Sequence, residues 1–206
     1  MKKTSLSFLT VVVLISLGLW FLLRGSRNPV KGGLSAHAMG QYTVYTGSEP
    51  GLMVSLEYPE GWTLHEERGK IERYREARIH GPRNQDDTYT SYLVVRGSPV
   101  TSFGGRHGSL DELVAHYKAH LIRDTRIVSE HEAAVADTNA TDLTVSYTLP
   151  PLLHKGIKPL AVPVKTRTVF VENSPYIYEL IYSADAREYD RYAEAFEHVL
   201  KTFRFR

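Results

Sequence analysis

Cysteine is absent from all 206 residues. That excludes disulfides, a thiolate zinc site, a cysteine nucleophile and lipid attachment at a lipobox cysteine. Acidic side chains are absent from the first 41 residues, which carry five Lys or Arg. The rest carries twenty Lys or Arg against twenty-three Asp or Glu, so the overall pI near 8.7 comes from the N-terminal stretch. A nucleic-acid-binding domain has the opposite balance, and no nucleic acid is expected as a partner. The densest basic stretch, Arg68 to Arg83, is interleaved with Glu72 and Glu76 and reads as a solvated, salt-bridged strand face. No G-x-S-x-G elbow is present. No Ser, His and Asp fall at element ends in a catalytic order, so no catalysis and no cofactor are expected.

One long stretch lacks charge altogether. Thr4 to Leu23, TSLSFLTVVVLISLGLWFLL, is followed by Arg24, Arg27 and Lys31 and preceded by Lys2 and Lys3. A helix of twenty residues is about 30 Å long, the thickness of a bilayer core. Trp20 lies near one end, where aromatic rings favour the interface. A cleaved signal peptide needs a shorter core and a small-x-small site soon after it. The first Ala-x-Ala beyond the run, Ala36-His37-Ala38, lies well past its end. The expected organisation is a basic start at 1–3, a transmembrane signal-anchor at 4–23, a flexible Gly/Ser/Pro-rich linker at 24–41 and one domain at 42–206. The basic N-terminus favours N-in, with the domain outside the cytoplasm, periplasmic or lumenal.

Within the domain, Leu52, Val54, Leu56 and Tyr58 alternate with polar residues, the period of a half-buried strand. The turn Pro59-Glu60-Gly61-Trp62 folds Trp62 back onto the core. A strand near Arg73–His80, a polar loop from Gly81 to Asp87 and a central strand from Tyr89 to Arg96 follow. Ser109 and Glu112 form a capping box, and Leu110, Leu113, Val114, Tyr117 and Leu121 follow at helical spacing. A strand or two fall within Arg126–Ala140. Leu143, Val145, Tyr147 and Leu149 alternate, and Pro150-Pro151 stops that strand. Residues 150–163 form a proline-rich loop with Leu152, Leu153 and Ile157, long for a plain connection. Lys165–Glu172 and Tyr176–Tyr182 form a hairpin. A last helix is expected from Asp185, with Glu188 completing a D-x-x-E box and Tyr189, Tyr192, Ala193, Phe196, Val199, Leu200 and Phe203 on one apolar face. The fold class is α+β, a central antiparallel sheet flanked by helices.

Candidate sites are few. His116 and His120 lie four apart on the predicted helix, a spacing that can hold a metal, although the pattern is not H-E-x-x-H. Gly104 to Ser109 opens that helix, and the N–H groups of Gly105 and Ser109 with the Arg106 charge make an anion site conceivable. The loop lacks the Lys-Ser/Thr of a phosphate loop. Asp86 and Asp87 are too few for calcium. Asn139-Ala140-Thr141 is a glycosylation sequon. Most of the thirteen tyrosines fall on core-facing positions, with Tyr42, Tyr45 and Tyr89 the ones that could line a binding face.

Three stretches resemble the PsbP-like (Mog1/PsbP fold) domains. They are Leu56-Glu57-Tyr58-Pro59-Glu60-Gly61-Trp62; Ser91 to Val95 with Val100 to Gly104 and Ser109 to Leu113; and Tyr176 to Leu180 through Phe196 and Phe203. The resemblance implies an α-β-α sandwich and a non-enzymatic accessory role at a membrane, as in the extrinsic photosystem II subunit. The chain departs from that subunit by its N-terminal anchor. The expected role is an extracytoplasmic module that docks a sheet face or the 150–163 loop on a protein partner in a membrane complex. The alternative is a small-ligand or metal-binding domain using His116, His120 or the Gly104–Ser109 loop.

Overall fold

A computed structural model describes residues 40–69, 74–150 and 161–206. The segment Thr4–Leu23, the linker up to 39 and most of the proline-rich loop lie outside the described residues. Among the described residues no helix is long and apolar enough to cross a membrane.

Among the described residues ten strands and two α-helices follow in order: β1 (Tyr42–Thr46), β2 (Val54–Pro59), β3 (Thr63–Arg68), β4 (Arg75–Arg83), β5 (Thr90–Pro99), α1 (Leu110–Ala119), β6 (Arg126–Val135), β7 (Thr138–Leu149), β8 (Val162–Asn173), β9 (Tyr176–Asp185), α2 (Tyr189–Thr202) and β10 (Arg204–Phe205). Seven strands form one sheet in the order β3-β4-β5-β9-β8-β7-β6, with antiparallel neighbours throughout. β1, β2 and β10 form a second, three-stranded sheet. The class is α+β, as the periodicity indicates. The small second sheet was not legible beforehand, because β10 is two residues long.

Register fixes which side chains share a face. Leu93 pairs with Tyr182, Val95 with Leu180 and Val169 with Leu180. Their face forms the main core with Trp62, Ile79, Tyr178 and, from α2, Tyr189, Tyr192, Phe196 and Val199. Phe196 is 1% exposed, and removing such a ring costs about 3–5 kcal/mol. The opposite face carries Leu143, Val145, Phe170 and Ile177, on which α1 lays Leu113 and Val114. The two helices therefore cover opposite faces of the large sheet, since successive residues along a strand alternate sides.

Three expectations need correction. The polar loop from Gly81 begins later, because β4 runs on through Gly81 and Pro82 to Arg83, with a register irregularity between His80 and Arg83. Irregular pairing is where a strand tolerates Gly and Pro. A Cβ at Gly81 would sit 2.7 Å from the Trp62 ring, so that glycine makes room for the indole. Next, Arg68 to Arg83 is not solvated throughout, since Glu76 is 1% exposed. Last, α2 starts at Tyr189, not Asp185, and its N-cap residue Glu188 makes no side-chain capping bond. Asp185 instead ends β9 opposite Val164. Its carboxylate accepts from Arg187 N at 3.0 Å, Arg187 Nε at 2.9 Å and Asn84 Nδ2 at 2.6 Å. Glu188 accepts from Gln85 N at 2.8 Å. The two acids of the apparent box thus secure the β4–β5 turn to the β9–α2 junction.

The hydrogen bonds from Arg187 outweigh burial and hold the Asp185 carboxyl down at about 2. A depressed carboxylate contributes stability that is complete above its unfolded pKa and lost as pH falls through the folded one. Asp185→Asn is expected to lose about 1–2 kcal/mol at neutral pH, allowing for screening at half-exposed Arg187. The gap from wild type should close between about pH 4 and pH 2. Urea unfolding across that range checks both magnitude and sign.

Candidate functional site

The loop before α1 is shaped by its own backbone. A 3-10 turn spans Thr101–Phe103 and ends at Gly104, whose φ of 84° is left-handed. Gly105 N donates to Val100 O at 3.0 Å and Thr101 N donates to His107 O at 2.8 Å. A Cβ at Gly105 would fall 1.4 Å from Pro99 O, so only glycine lets the loop double back here. The doubling carries His107 to the side of α1, where its ring centroid lies 4.8 Å from that of His116. The His116 and His120 rings are 3.9 Å apart. A surface cavity is lined by Arg106, His107, Glu112, Ala115, His116, Ala119 and His120. The structure thus joins the two sequence-predicted histidines to Arg106 and to a third histidine that sequence spacing missed. The signal for His107 was topological, because it needed the loop path and not a helical period.

His120 sits at the C-cap of α1. Its Nδ1 lies 2.7 Å from the His116 carbonyl. A carbonyl only accepts, so Nδ1 carries the proton and the lone pair of the neutral ring is on Nε2. Among the described residues no group of three or more His, Asp or Glu side chains could hold a metal ion.

The backbone groups of the anion candidate are engaged within the chain. Besides Gly105, Gly104 N donates to Thr101 O at 3.0 Å. Gly108 N donates to Glu112 Oε2 at 2.6 Å and Leu110 N to Glu172 Oε2 at 3.0 Å. Ser109 Oγ accepts from Glu112 N at 3.2 Å, the predicted cap. The positive end of the helix already faces two carboxylates.

The tyrosines proposed for a binding face are placed otherwise. Tyr45 and Tyr89 are buried. Tyr45 donates to Glu66 at 2.9 Å, and Tyr89 Oη lies 2.7 Å from Ser183 Oγ. Tyr42 is half-buried, stacked on His198 at 3.6 Å. Ser183, which also meets Thr166 Oγ1 at 2.8 Å, has only hydroxyls among these bonds, with no base to activate it.

A charged cluster on the α1 side of the sheet was hidden from the sequence. Glu76, Arg96 and Glu179 are cross-strand partners in one row. Glu76 accepts from Arg78 Nε at 2.8 Å and from Arg96 Nε at 2.9 Å, while Arg96 Nη1 reaches Glu179 at 3.4 Å. Burial alone would raise the Glu76 carboxyl, but Arg96 and Arg78 hold it below its ordinary value. Burial, then the charge on Arg78, pushes nearby His80 down to about 4. The available clue was a charge inside each of two apolar strands, Arg96 after Leu93-Val94-Val95 and Glu179 between Tyr178 and Leu180.

No protein-family model matches the chain, and no curated protein is similar to it. Among solved structures it is similar to cyanobacterial PsbP (CyanoP) from Synechocystis sp. PCC 6803, with a TM-score of 0.51 at 13% identity over 85% of this chain and 96% of that one. It also matches LpqN, involved in cell envelope biogenesis of Mycobacterium tuberculosis, with a TM-score of 0.48 at 15% identity over 79% of this chain and 89% of that one. A Pseudomonas aeruginosa protein of unknown function described as a putative regulator gives 0.45 at 15% identity, over 77% and 92% of the two chains. The chain has the fold of CyanoP. At these identities the likeness concerns the fold alone.

Arg96→Met strands Glu179 and leaves Glu76 with one cation. The expected loss is about 3–5 kcal/mol by urea unfolding. Adding Glu76→Gln should recover part of it, the coupling expected of a buried network.

Proposed function

We propose that this protein is a membrane-tethered accessory module that holds a PsbP-type domain on the extracytoplasmic side and docks it on a protein partner in a membrane complex, without catalysis. The observation that carries this reading is the uncharged twenty-residue run Thr4–Leu23, flanked by basic residues and followed by a polar linker. A linker of eighteen residues gives the domain a reach of about 60 Å at full extension. The fold supports the reading, because CyanoP carries the same one. Exposed apolar residues are available for docking: Phe103 is 62% exposed on the loop before α1, and Val44 is 64% exposed on β1. Single exposed apolar residues are ordinary, so these are anchors for a partner only in combination.

Fractionation and crosslinking test the proposal together. The full chain should stay in the membrane through alkaline carbonate and high salt, and a variant lacking 1–23 should be released. Protease added from the extracytoplasmic side should digest the domain. Crosslinking in native membranes should capture a defined membrane complex, and Phe103→Ser/Val44→Ser should weaken the capture. Release of the full chain by carbonate, or crosslinks only to lipid, would overturn it.

A further inference from the structure

We propose that β6 is a docking edge, which takes an extended segment of a protein partner, bearing lysine or arginine at alternate positions, as an eighth strand of the large sheet. The inference rests on the docking role for the source of that strand, and not for the edge itself.

β6 ends the seven-stranded sheet and pairs with β7 alone. Among the described residues no backbone hydrogen bond reaches it from its other side. Every residue from Arg126 to Glu132 is exposed, so both faces of the edge are uncovered. Ten residues make a long edge, and its outward N–H and C=O groups are a template for another strand. β3, at the opposite end, is six residues long and meets the small sheet, because Tyr45 donates to Glu66 at 2.9 Å.

Charge selects the strand. Glu130 lies opposite Leu143 and Glu132 opposite Thr141. Leu143 belongs to the cluster under α1, and opposed residues share a face, so both carboxylates stand on the α1 side. A second copy of β6 does not suit this pattern. Identical strands paired antiparallel about a two-fold axis set one residue opposite itself. An axis at Glu130 or Glu132 faces that carboxylate with its own copy, and an axis at His131 sets Glu130 opposite Glu132 twice. Like charges so placed repel. An axis at Ser129 meets the irregular pairing between Ile127 and Ser129, which bends the edge away from a straight partner. An axis at Ala133 leaves Arg126 to Glu130 unpaired.

A strand with Lys or Arg at two alternate positions meets both carboxylates instead. Glu132 has no cation partner among the described residues. Glu130 has Lys118 at 2.8 Å, an exposed pair that contributes little. Near the irregular pairing, Ile127 and Val128 are 43% and 47% exposed and offer apolar contact to the end of the same strand.

The test is deuterium exchange of the full chain in detergent, read by mass spectrometry, with two short synthetic peptides. One alternates lysine with threonine, the other glutamate with threonine. The lysine peptide should slow amide exchange in residues 126–135 about tenfold or more at saturation and leave β3 unchanged. The glutamate peptide should leave both strands unchanged. In Glu132→Lys the preference should reverse: the lysine peptide binds about fivefold or more weaker, and the glutamate peptide now protects β6. A gained protection cannot come from misfolding. Equal response to both peptides, or protection of β3 instead, would overturn the inference. So would protection of β6 without peptide that grows with protein concentration, which assigns the edge to a second copy. A silent lysine peptide alongside a captured membrane complex overturns this edge and leaves the accessory reading standing. Protection by the peptide in a chain that carbonate releases does the reverse.

Discussion

β9 is buried from both sides, and the rest of the domain answers to that. One face of the strand presents Tyr178, Leu180, Tyr182 and Ala184 to α2 and the small sheet. The other presents Ile177, Glu179, Ser183 and Asp185, all buried as well. Burying a carboxylate or hydroxyl without a partner costs several kcal/mol. Each polar residue of β9 therefore requires a particular partner on a neighbouring element: Arg96 for Glu179, Tyr89 and Thr166 for Ser183, Arg187 and Asn84 for Asp185. Apolar packing would tolerate a shifted register more readily than these bonds would. A one-residue slip of β9 would turn its carboxylates into the aromatic core.

The same requirement explains what was legible beforehand. Clean alternation in β2 and β7, the Ser109 cap of α1 and the apolar face of α2 are local patterns, and each appears where its period places it. The failures were at residues whose role is set by a distant partner. Asp185 and Glu188 have the spacing of a helix start, yet Asn84 and Gln85, about a hundred residues earlier in the chain, claim them. Gly81 and Pro82 have turn chemistry, yet Trp62 needs the glycine inside a strand. Glu76 looked solvent-bound among its charged neighbours, and only the register across β4, β5 and β9 shows why it is buried. For the candidate site, helical spacing was enough to pair His116 with His120, but His107 depends on a loop closed by Gly105.

That loop also decides what kind of chemistry the start of α1 offers. A helix N-terminus attracts anions through unbonded N–H groups and its dipole. Here Glu112 and Glu172 fill that role from within the chain, and the tight path through Gly105 uses further N–H groups for internal bonds. An open phosphate-type cradle would leave those donors turned outward. By satisfying them internally, the fold stabilises the loop and gives up backbone recognition there. The cavity beside it is lined by side chains, among them three imidazoles, a guanidinium and the Glu112 carboxylate. The sequence feature that first suggested an anion site thus supplies the rigidity that holds His107 against the helix.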